Sequence, residues 1–436
     1  MKVLALTHAH LNPEGLSPVS CERADSIVAA WGERLNWDID VVYTNGTKWH
    51  GIWPEGAGLK VNIIRQDAPD DLKMGTSHLF SKTLQTLVGK KQFASAASLV
   101  NKRITKRIRS VFAEEGFALP HEVMLAERWG VYLSLAKDIN SKHYDFIFVC
   151  VGHGDEYLLQ TALTLSRELR IPMIVDFRDL WSEHHVPGRF TDKQRKQLHR
   201  IEKRLLVNTV LISVPQKHMA TLLKKWATAP VYLLSHSAYA DKSWEDGHVI
   251  TDEFTMQYAG KLYPGGPGMR MLLELIKKLS EAQLYKPVKC HFFVDDIETL
   301  LRLAKAHGVE SNISINGWVS PSVLWKNMRS AHLLIIPDAG VAENFPLLPT
   351  KTFQYAHSGR QILGLSPYKN LEMQEFLTHF NAGTFCTNVD DAVKWITQLS
   401  FEKGQYESLP PLRKVAMRTD VAVEYGTEIE KLLANR

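Results

Sequence analysis

The feature that most constrains this chain is a repeated alternation of short apolar runs with longer amphipathic segments. Asp145–Val151 reads DFIFVCV and Leu333–Pro337 reads LLIIP, so both runs are almost entirely apolar. A strand of this kind is typical of a parallel sheet that helices cover on both faces. The alternation begins at Val3–Thr7 and restarts at Thr255–Ala259, after a polar interval at Ala240–Glu253. The sequence therefore predicts an α/β chain with two open parallel sheets.

The same periodicity predicts the individual elements. Ser20 is a candidate N-cap for the first helix, because its hydroxyl can accept from a free N–H group of the first turn. For residues 44–143, the periodicity predicts two or three helices but does not give their bounds. The remaining strands are predicted at Asp38–Tyr43, Pro172–Phe177, Val210–Val214, Val231–Leu234, Val288–Val294, Ile313–Asn316 and Gln361–Leu365. Helices are predicted at Ser20–Leu35, Glu156–Leu169, Met269–Leu279, Ile297–Ala306, Pro321–Arg329, Thr350–His357 and Leu412–Leu433.

Length and composition fit this organisation. The 436 residues predict about two or three domains. We place them at residues 1–245, 250–410 and 411–436, the last a helix that crosses back to the first domain. Hydrophobic residues make up 45% and charged residues 23%, which excludes a mostly disordered or fibrous chain.

Neither the chain's start nor its cysteines indicate export. No apolar run approaches the roughly 20 residues of a membrane-spanning helix, and the start indicates a strand rather than a signal peptide. The four cysteines lie more than 90 residues apart, which argues against a disulfide framework or a cysteine zinc site. We therefore expect a cytoplasmic protein.

The positive charge is confined to the first part of the chain. Residues 1–250 hold 32 basic and 27 acidic side chains, whereas residues 251–436 hold 20 of each. Residues 82–109 carry eight basic residues and no acidic one, and a second basic stretch covers 189–204. These stretches indicate either solvated helix faces or a surface for an anionic partner such as the inner face of a membrane. A nucleic-acid role is not favoured, because the stretches lack interleaved aromatic residues.

A glycine-rich loop follows the strand at Thr255–Ala259. Tyr258–Gly268 reads YAGKLYPGGPG and leads into a predicted helix. Gly260, Gly265 and Gly266 would let the backbone approach a ligand, and Lys261 adds a positive charge. The loop suits a diphosphate, although the alternative of a simple connecting turn remains open.

A second block follows the strand at Leu333–Pro337. Glu343–Leu363 reads ENFPLLPTKTFQYAHSGRQIL, with a predicted helix that starts at Thr350. Lys351 in the first helical turn is unfavourable for the helix dipole unless an anion lies there too. The alternative is a surface lysine with no ligand.

This block resembles the l-P-x-K-x-F-E-Y-l-a-x-G-x-P-I-L signature of GT-B glycosyltransferases, especially the large retaining family numbered four. Three further segments agree with that resemblance. Val3–Gly15 resembles the first strand and glycine loop, Val175–Trp181 (VDFRDLW) resembles a common D-F-R-D-x-W stretch, and Tyr258–Leu262 (YAGKL) resembles the G-[RK]-L that opens the donor domain. The resemblance spans nearly the whole chain in the right order.

The resemblance implies a GT-B fold, with two Rossmann-like domains facing across a cleft. It also implies a hexosyltransferase (EC 2.4) that uses a nucleotide-sugar, with retention and without a metal or other cofactor. The acceptor would be a glycan, a lipid-linked molecule or another cell-envelope component, as in polysaccharide biosynthesis. A lipid-linked acceptor would place the protein at the inner membrane face. The pair Asp295–Asp296 is interpreted as a strand-end turn rather than a metal site.

The resemblance also assigns roles to individual residues. Lys261 would stabilise the leaving diphosphate, and His153 would bind the sugar or handle a proton, so these two are the catalytic candidates. Arg178 and Asp179 would face the acceptor or the cleft, although an Arg–Asp pair that ties the loop is an equal alternative. The donor-binding candidates are Gly15, Gly260, Gly265, Gly266, Glu343, Thr350, Lys351 and Gln354.

The sequence departs from the family in one respect. Members carry two glutamates in a Glu-x7-Glu spacing, and here the two alignments give Pro346 with Gln354, or Glu343 with Lys351. Neither alignment yields two acids, so a GT-B protein that serves as a binding module is the main alternative. A minor alternative is an NAD-dependent oxidoreductase, since Gly152 and Gly154 follow a strand in partial imitation of a dinucleotide-binding turn.

Overall fold

The computed structural model of the chain describes residues 1–7, 19–43, 61–65, 143–152, 156–182, 191–237, 252–262, 266–282, 286–317, 319–338, 348–399 and 418–435. Within these ranges the strands form two sheets, and every pair of neighbouring strands is parallel. Within the same ranges, no helix combines the length and the apolar character that crossing a membrane requires.

The first sheet has seven strands in the order β3-β2-β1-β4-β5-β6-β7. Its middle strands are buried because helices cover both faces, which agrees with their uninterrupted apolar sequences. The strands are β1 (Lys2–Thr7), β2 (Asp38–Tyr43), β3 (Val61–Arg65), β4 (Phe146–Val151), β5 (Met173–Phe177), β6 (Thr209–Val214) and β7 (Val231–Leu233), and the helices are α1 (Val19–Arg34), α2 (Glu156–Leu169), α3 (Asp192–Leu205) and α4 (Lys217–Lys224).

The second sheet has six strands in the order β10-β9-β8-β11-β12-β13. They are β8 (Phe254–Ala259), β9 (Val288–Phe293), β10 (Ile313–Ile315), β11 (Leu333–Pro337), β12 (Gln361–Leu365) and β13 (Gly383–Cys386). The accompanying helices are α5 (Pro267–Glu281), α6 (Ile297–His307), α7 (Pro321–Ser330), α8 (Thr350–His357), α9 (Leu371–His379) and α10 (Val389–Gln398), and a 3-10 turn lies at Glu310–Asn312.

Both sheets reverse their direction of winding beside the first strand of each. β1 pairs with β2 on one side and β4 on the other, and β8 pairs in the same way with β9 and β11. In open parallel sheets, ligands bind in the crevice outside the carboxyl ends of the strands at such a switch point. The topology therefore predicts that a ligand would bind beside the residues that follow β1, β4, β8 and β11.

Local sequence signals set the ends of several helices. Asp296, Ser320, Asn370 and Asn388 each accept a hydrogen bond from a backbone N–H in the first turn of α6, α7, α9 and α10 respectively. Asp296 also donates its own backbone N–H to Asp295, so this acidic pair forms a capped turn.

Most predicted elements are confirmed, with boundaries that agree within two residues. Ser20 is an exception, since α1 already begins at Val19, so Ser20 lies inside the helix and cannot be its N-cap. The predicted tail helix begins at Arg418, and residues 412–417 lie outside the described ranges. Elements that the sequence did not predict are β3, β13, α3, α4, α9 and α10.

The last helix, α11 (Arg418–Ala434), packs against α1 of the first domain. Ala422, Tyr425 and Ile429 are buried in the same core as Trp31 and residues of the first sheet. The indole of Trp31 donates to the carbonyl oxygen of Ala422 at 2.8 Å. Gly426 has no side chain where α11 lies against α1, and a Cβ there would lie 2.8 Å from the indole nitrogen of Trp31.

We expect Gly426→Leu to lower the free energy of unfolding by about 1–3 kcal/mol, because the added side chain overpacks the contact between α1 and α11. Trp31 is fully buried and cannot move aside. Urea unfolding followed by tryptophan fluorescence measures the change. Glu424→Leu places the same side chain on the exposed face of α11 and is the control. Equal stability of the two variants would contradict the close packing.

Candidate functional site

The carboxyl end of β8 is held by side chains from α8. The backbone N–H of Ala259 donates to the hydroxyl of Tyr355 at 3.0 Å, and Lys351 Nζ donates to the carbonyl oxygen of Ala259 at 2.9 Å. The Tyr258 hydroxyl donates to the carbonyl oxygen of Lys261 at 2.5 Å, which closes the turn after the strand. α8 therefore fixes the position of the turn at Gly260 and Lys261.

Gly260 is required at this turn for two reasons. Its φ is +136°, a conformation that side chains rarely adopt. A Cβ at this position would also lie 2.5 Å from Lys351 Nζ. The glycine lets the ammonium group of α8 approach the end of β8.

Lys351 is a cation without an acidic partner in the part of the chain that the structure describes. Its ammonium lies 4.5 Å from the centre of the Tyr258 ring and binds the Ala259 carbonyl oxygen. Burial lowers the pKa of Lys351 to about 8, because an ammonium loses hydration there. It also lies in the first turn of α8, where the helix dipole disfavours a positive charge. A bound anion would relieve both costs.

The next helix, α5, begins close to the same edge of the sheet. Gly266 is its N-cap and Pro267 occupies the first turn, so several backbone N–H groups lack partners within the helix. A Cβ at Gly268 would collide with the backbone of Asp338, the residue after β11. The glycine thus brings the start of α5 directly onto the end of β11.

In the first domain, a buried ion pair lies beneath the carboxyl ends of the strands. Arg23 of α1 contacts both carboxylate oxygens of Asp176 in β5, at 2.7 and 2.8 Å, and also donates to the carbonyl oxygen of Leu234 at 2.8 Å. The Ser213 hydroxyl donates to the same carboxylate at 2.7 Å. Burial alone would raise the pKa of Asp176, but the charge and hydrogen bonds of Arg23, with Ser213, outweigh it and lower the pKa.

Above this pair, the end of β4 is occupied by an arginine. A Cβ at Gly152 would lie 2.7 Å from a guanidinium nitrogen of Arg178, so the guanidinium lies directly against the backbone of Gly152. The indole of Trp181 donates to the Gly152 carbonyl oxygen at 2.7 Å. Gly152 therefore accommodates the guanidinium of Arg178, while Gly154, the other glycine of the partial dinucleotide-binding turn, lies outside the described residues.

A cavity of about 210 Å³ lies between the two domains. The first domain contributes Arg23, Arg178 and Asp179 to its wall, and the segment after β7 contributes Ser235, His236 and Ser237. Thr350, at the start of α8, lines the cavity from the second domain. The cavity therefore joins the end of the first sheet to the helix that carries Lys351.

Direct contacts connect the domains near this cavity. His236 packs against Phe353 of α8, with ring centres 6.2 Å apart. At the start of α4, the backbone N–H of Lys217 donates to Glu372 of α9 at 3.0 Å, and Lys217 Nζ pairs with Glu375 at 2.8 Å. These contacts bring the second domain against the first.

The structure brings most of the described candidates into two neighbouring groups. Gly260, Lys261 and Lys351 lie at the end of β8, with Lys261 exposed and Gly266 at the start of α5. Arg178, Asp179 and Thr350 line the cavity, while Gln354 is half-buried one turn further along α8. Four candidates lie outside the described residues, namely Gly15, His153, Gly265 and Glu343, as does the basic stretch 82–109.

Sequence reasoning missed the ion pair and the histidine at this site. A carboxylate inside the apolar strand MIVDF was a usable signal, because a buried charge needs a partner. The partner Arg23 lies 153 residues away, so no local pattern connects the two. His236 follows a short, half-exposed strand and carries no motif.

Comparison with solved structures shows the fold. Sucrose-phosphate synthase from Thermosynechococcus elongatus is similar over 100% of both chains, with 12% identity and a TM-score of 0.65. HepE from Anabaena, determined with UDP and glucose, has 12% identity and a TM-score of 0.59, over 99% of this chain and 100% of that one. A protein described as a UDP-N-acetylglucosamine 2-epimerase, from Listeria monocytogenes, has 11% identity and a TM-score of 0.55, over 100% and 98%.

No family model matches this sequence, and no curated protein matches it. The structural likenesses confirm the predicted fold class, an α/β chain of the GT-B type with two Rossmann-like sheets. At this level of identity they establish the fold alone.

We expect the stability cost of burying Lys351 to depend on pH. The folded-state pKa of about 8 lies below the ordinary value of 10.5, so the unfolded chain binds more protons between these values. The wild-type chain should therefore gain stability relative to Lys351→Met as the pH rises from 8 toward 10, with no relative change between pH 6 and 7.5. Urea unfolding of both proteins across this range measures the difference.

Lys277→Met removes an exposed lysine from α5 and controls for the change in net charge. If Lys351→Met and Lys277→Met respond to pH in the same way, Lys351 is not held in a desolvated position.

Proposed function

We propose that this protein is a glycosyltransferase that moves a sugar from a nucleotide-sugar to an acceptor. The observation that carries the proposal is the pair of lysines at the end of β8. Lys261 is exposed in the turn, and Lys351 brings an ammonium without a described carboxylate partner to the same strand end. A diphosphate needs such a concentration of positive charge beside a glycine turn and a helix start.

The position of the lysines fits the chemistry of sugar transfer. As the bond between the sugar C1 and the phosphate oxygen breaks, negative charge grows on the diphosphate and positive charge grows on the sugar. A lysine held at the leaving oxygen stabilises the transition state more than the ground state. The acceptor oxygen forms the new bond to C1 and loses its proton, a step for which His153 after β4 remains the candidate.

The stereochemistry, the metal independence, the donor and the acceptor are each proposed on a separate observation. Retention and independence of metal are supported by the resemblance to the retaining GT-B family. A uridine nucleotide is a reasonable first donor, because HepE was determined with UDP and glucose. A lipid-linked or other cell-envelope acceptor at the inner membrane face is supported by the positive charge of residues 1–250.

A second candidate is a GT-B protein that binds a nucleotide-sugar without transferring it. Gln354 favours this candidate, because a neutral amide stands on α8 where the family carries an acid. An amide binds a ribose hydroxyl more weakly than a carboxylate does. Binding without turnover would identify this case.

We expect the wild-type protein to bind at least one of UDP, GDP and ADP, and to hydrolyse or transfer from the matching nucleotide-sugar. Lys261→Met should weaken binding of the diphosphate by about ten- to a hundredfold and leave the weaker binding of the monophosphate nearly unchanged. This follows because a hydrogen bond to a charged group contributes about 1.5–3 kcal/mol. Isothermal titration calorimetry with the three diphosphates and their monophosphates measures both constants.

Lys277→Met serves again as the charge-matched control on α5. Failure of the wild-type protein to bind any of the three diphosphates or their sugars would rule out the proposed function. Binding with no turnover across the sugar panel would favour the binding module.

A further inference from the structure

A separate pocket lies on the first domain, at the edge of the sheet opposite the candidate site. We call it the amino-edge pocket, and its volume is about 540 Å³. Its wall comes from the two connections that lead into β5 and β6, within residues 166–172 and 207–210. The five residues of β5, at about 3.3 Å each, put roughly 17 Å of strand between this pocket and the carboxyl edge. A small ligand here would therefore not touch the proposed donor.

The wall of the amino-edge pocket is positively charged. Arg167, in the last turn of α2, and Arg170, the residue after that helix, both line it. None of the described residues in the wall is acidic, and neither arginine forms an ion pair with a described residue. A cation at a helix C-terminus is favourable for the helix dipole, so part of this charge stabilises α2. Two guanidinium groups beside one pocket are also the pattern that binds a phosphate group.

The backbone at Arg170 favours a role for its side chain. α2 ends in a turn in which the N–H of Ile171 donates to the carbonyl oxygen of Ser166 at 3.1 Å, and Arg170 has a φ of +56°. Glycine is the usual residue at this position of such a turn, and asparagine tolerates it. The two other described residues with a positive φ that are not glycine are Asn36 and Asn381. An arginine here costs conformational energy that a glycine would not, so its guanidinium is expected to offset that cost.

A buried hydroxyl group at the same pocket is a second, independent observation. Thr209, the first residue of β6, lines the pocket and is only 7% exposed. Its hydroxyl oxygen is buried and has no hydrogen-bond partner among the described residues. A buried hydroxyl without a partner is destabilising, and native structures contain few of them. A ligand oxygen that accepts from Thr209 would remove this cost.

The rest of the wall combines an amide with an apolar surface. Asn208 is half-buried and can donate to a ligand oxygen. Ile171, Pro172 and Val207 supply the apolar part, and Val207 is 61% exposed although it is hydrophobic. The volume lies within the roughly 300–1,000 Å³ of pockets that hold small molecules. A ligand with an anionic group beside an apolar group would match both parts of the wall.

We propose that the amino-edge pocket binds the phosphate group of a phosphomonoester that also has an apolar part. Arg167 and Arg170 pair with the phosphate oxygens, the Thr209 hydroxyl donates to one of them, and the apolar part packs against Val207. This assignment goes beyond the proposed transfer reaction and does not depend on it. A soluble phosphorylated metabolite and a phosphomonoester lipid headgroup share this chemistry.

The test uses the full chain, with phenyl phosphate as the probe and benzyl alcohol as its uncharged comparison. Isothermal titration calorimetry in a phosphate-free buffer measures binding. We expect phenyl phosphate to bind at least about tenfold more tightly than benzyl alcohol, because hydrogen bonds to a charged group are stronger than neutral ones. Lys261→Met, which alters the proposed donor site, should bind phenyl phosphate in this pocket as the wild type does.

Two variants change the pocket without a cost in stability. Arg170→Gly removes the guanidinium and supplies the residue that favours a positive φ, so the free energy of unfolding should stay nearly unchanged. Thr209→Val keeps the shape of the side chain, and it should stabilise the free protein because the buried hydroxyl is gone. Each should weaken the binding of phenyl phosphate at least about fivefold. Asn36→Gly makes the same backbone change in an exposed turn of the first domain and is the control.

The proposal is wrong if the wild type does not bind phenyl phosphate, or if Arg170→Gly and Thr209→Val bind it as the wild type does. The two arginines would then serve only the carbonyl end of α2. Binding that Lys261→Met abolishes and Arg170→Gly leaves intact would assign the phosphate to the donor site, which also overturns the proposal. A failure of the proposed function, with no nucleoside diphosphate bound, leaves this result unaffected.

A flotation experiment identifies the source of the phosphate group. Phosphatidylcholine vesicles are compared with vesicles that also contain phosphatidic acid, using the wild type and Arg170→Gly. Recovery that requires both phosphatidic acid and Arg170 supports the pocket and identifies a lipid headgroup. Binding of phenyl phosphate without such recovery supports the pocket and identifies a soluble metabolite.

Discussion

The buried pair of Arg23 and Asp176 is the interaction that holds together the carboxyl edge of the first sheet. It joins α1 to β5, and through Ser213 and the carbonyl oxygen of Leu234 it extends to β6 and to the segment after β7. Removing one partner of such a pair costs about 3–5 kcal/mol, because the other charge stays buried. The pair therefore sets where Arg178, Asp179 and His236 can lie around the cavity.

In the second domain, the charged group at the strand end has no described carboxylate beside it. There the charge that reaches the strand end is Lys351, and its described partners are a carbonyl oxygen and an aromatic ring. A compensated ion pair is typical of a structural contact, whereas an uncompensated cation is typical of a site that binds a charged ligand. The two domains therefore differ in the charge at their strand ends: the first holds a compensated pair, and the second holds a cation without a described carboxylate partner.

The sequence predicted the fold well because its strongest signal is local. Runs such as FIFVCV in β4 and LLIIP in β11 are fully buried strands, and their repetition with helices permits few topologies. Short or strongly polar elements were missed, such as the four-residue β13 and α3, which has few apolar residues. Ser20 was misplaced because a serine inside a first turn looks like a cap in sequence.

Candidate site residues could be named from the sequence only where a motif lies in one segment. Gly260, Lys261 and Lys351 became candidates because each stands in a recognisable block after a strand. The cavity was not, because its wall combines α1, the ends of β5 and β7, α8 and α11, which are far apart in the chain. Tertiary structure alone shows that Asp179 and Thr350 share one space.

The packing of α11 has a consequence for how the chain is made. The core around Trp31 includes Ala422, Tyr425 and Ile429, which leave the ribosome nearly four hundred residues after Trp31 does. The second sheet can complete its core during synthesis, since its strands and helices are consecutive. The first domain keeps an apolar groove uncovered until α11 has been synthesised. It is therefore exposed to chaperones and to aggregation while the second domain is being made.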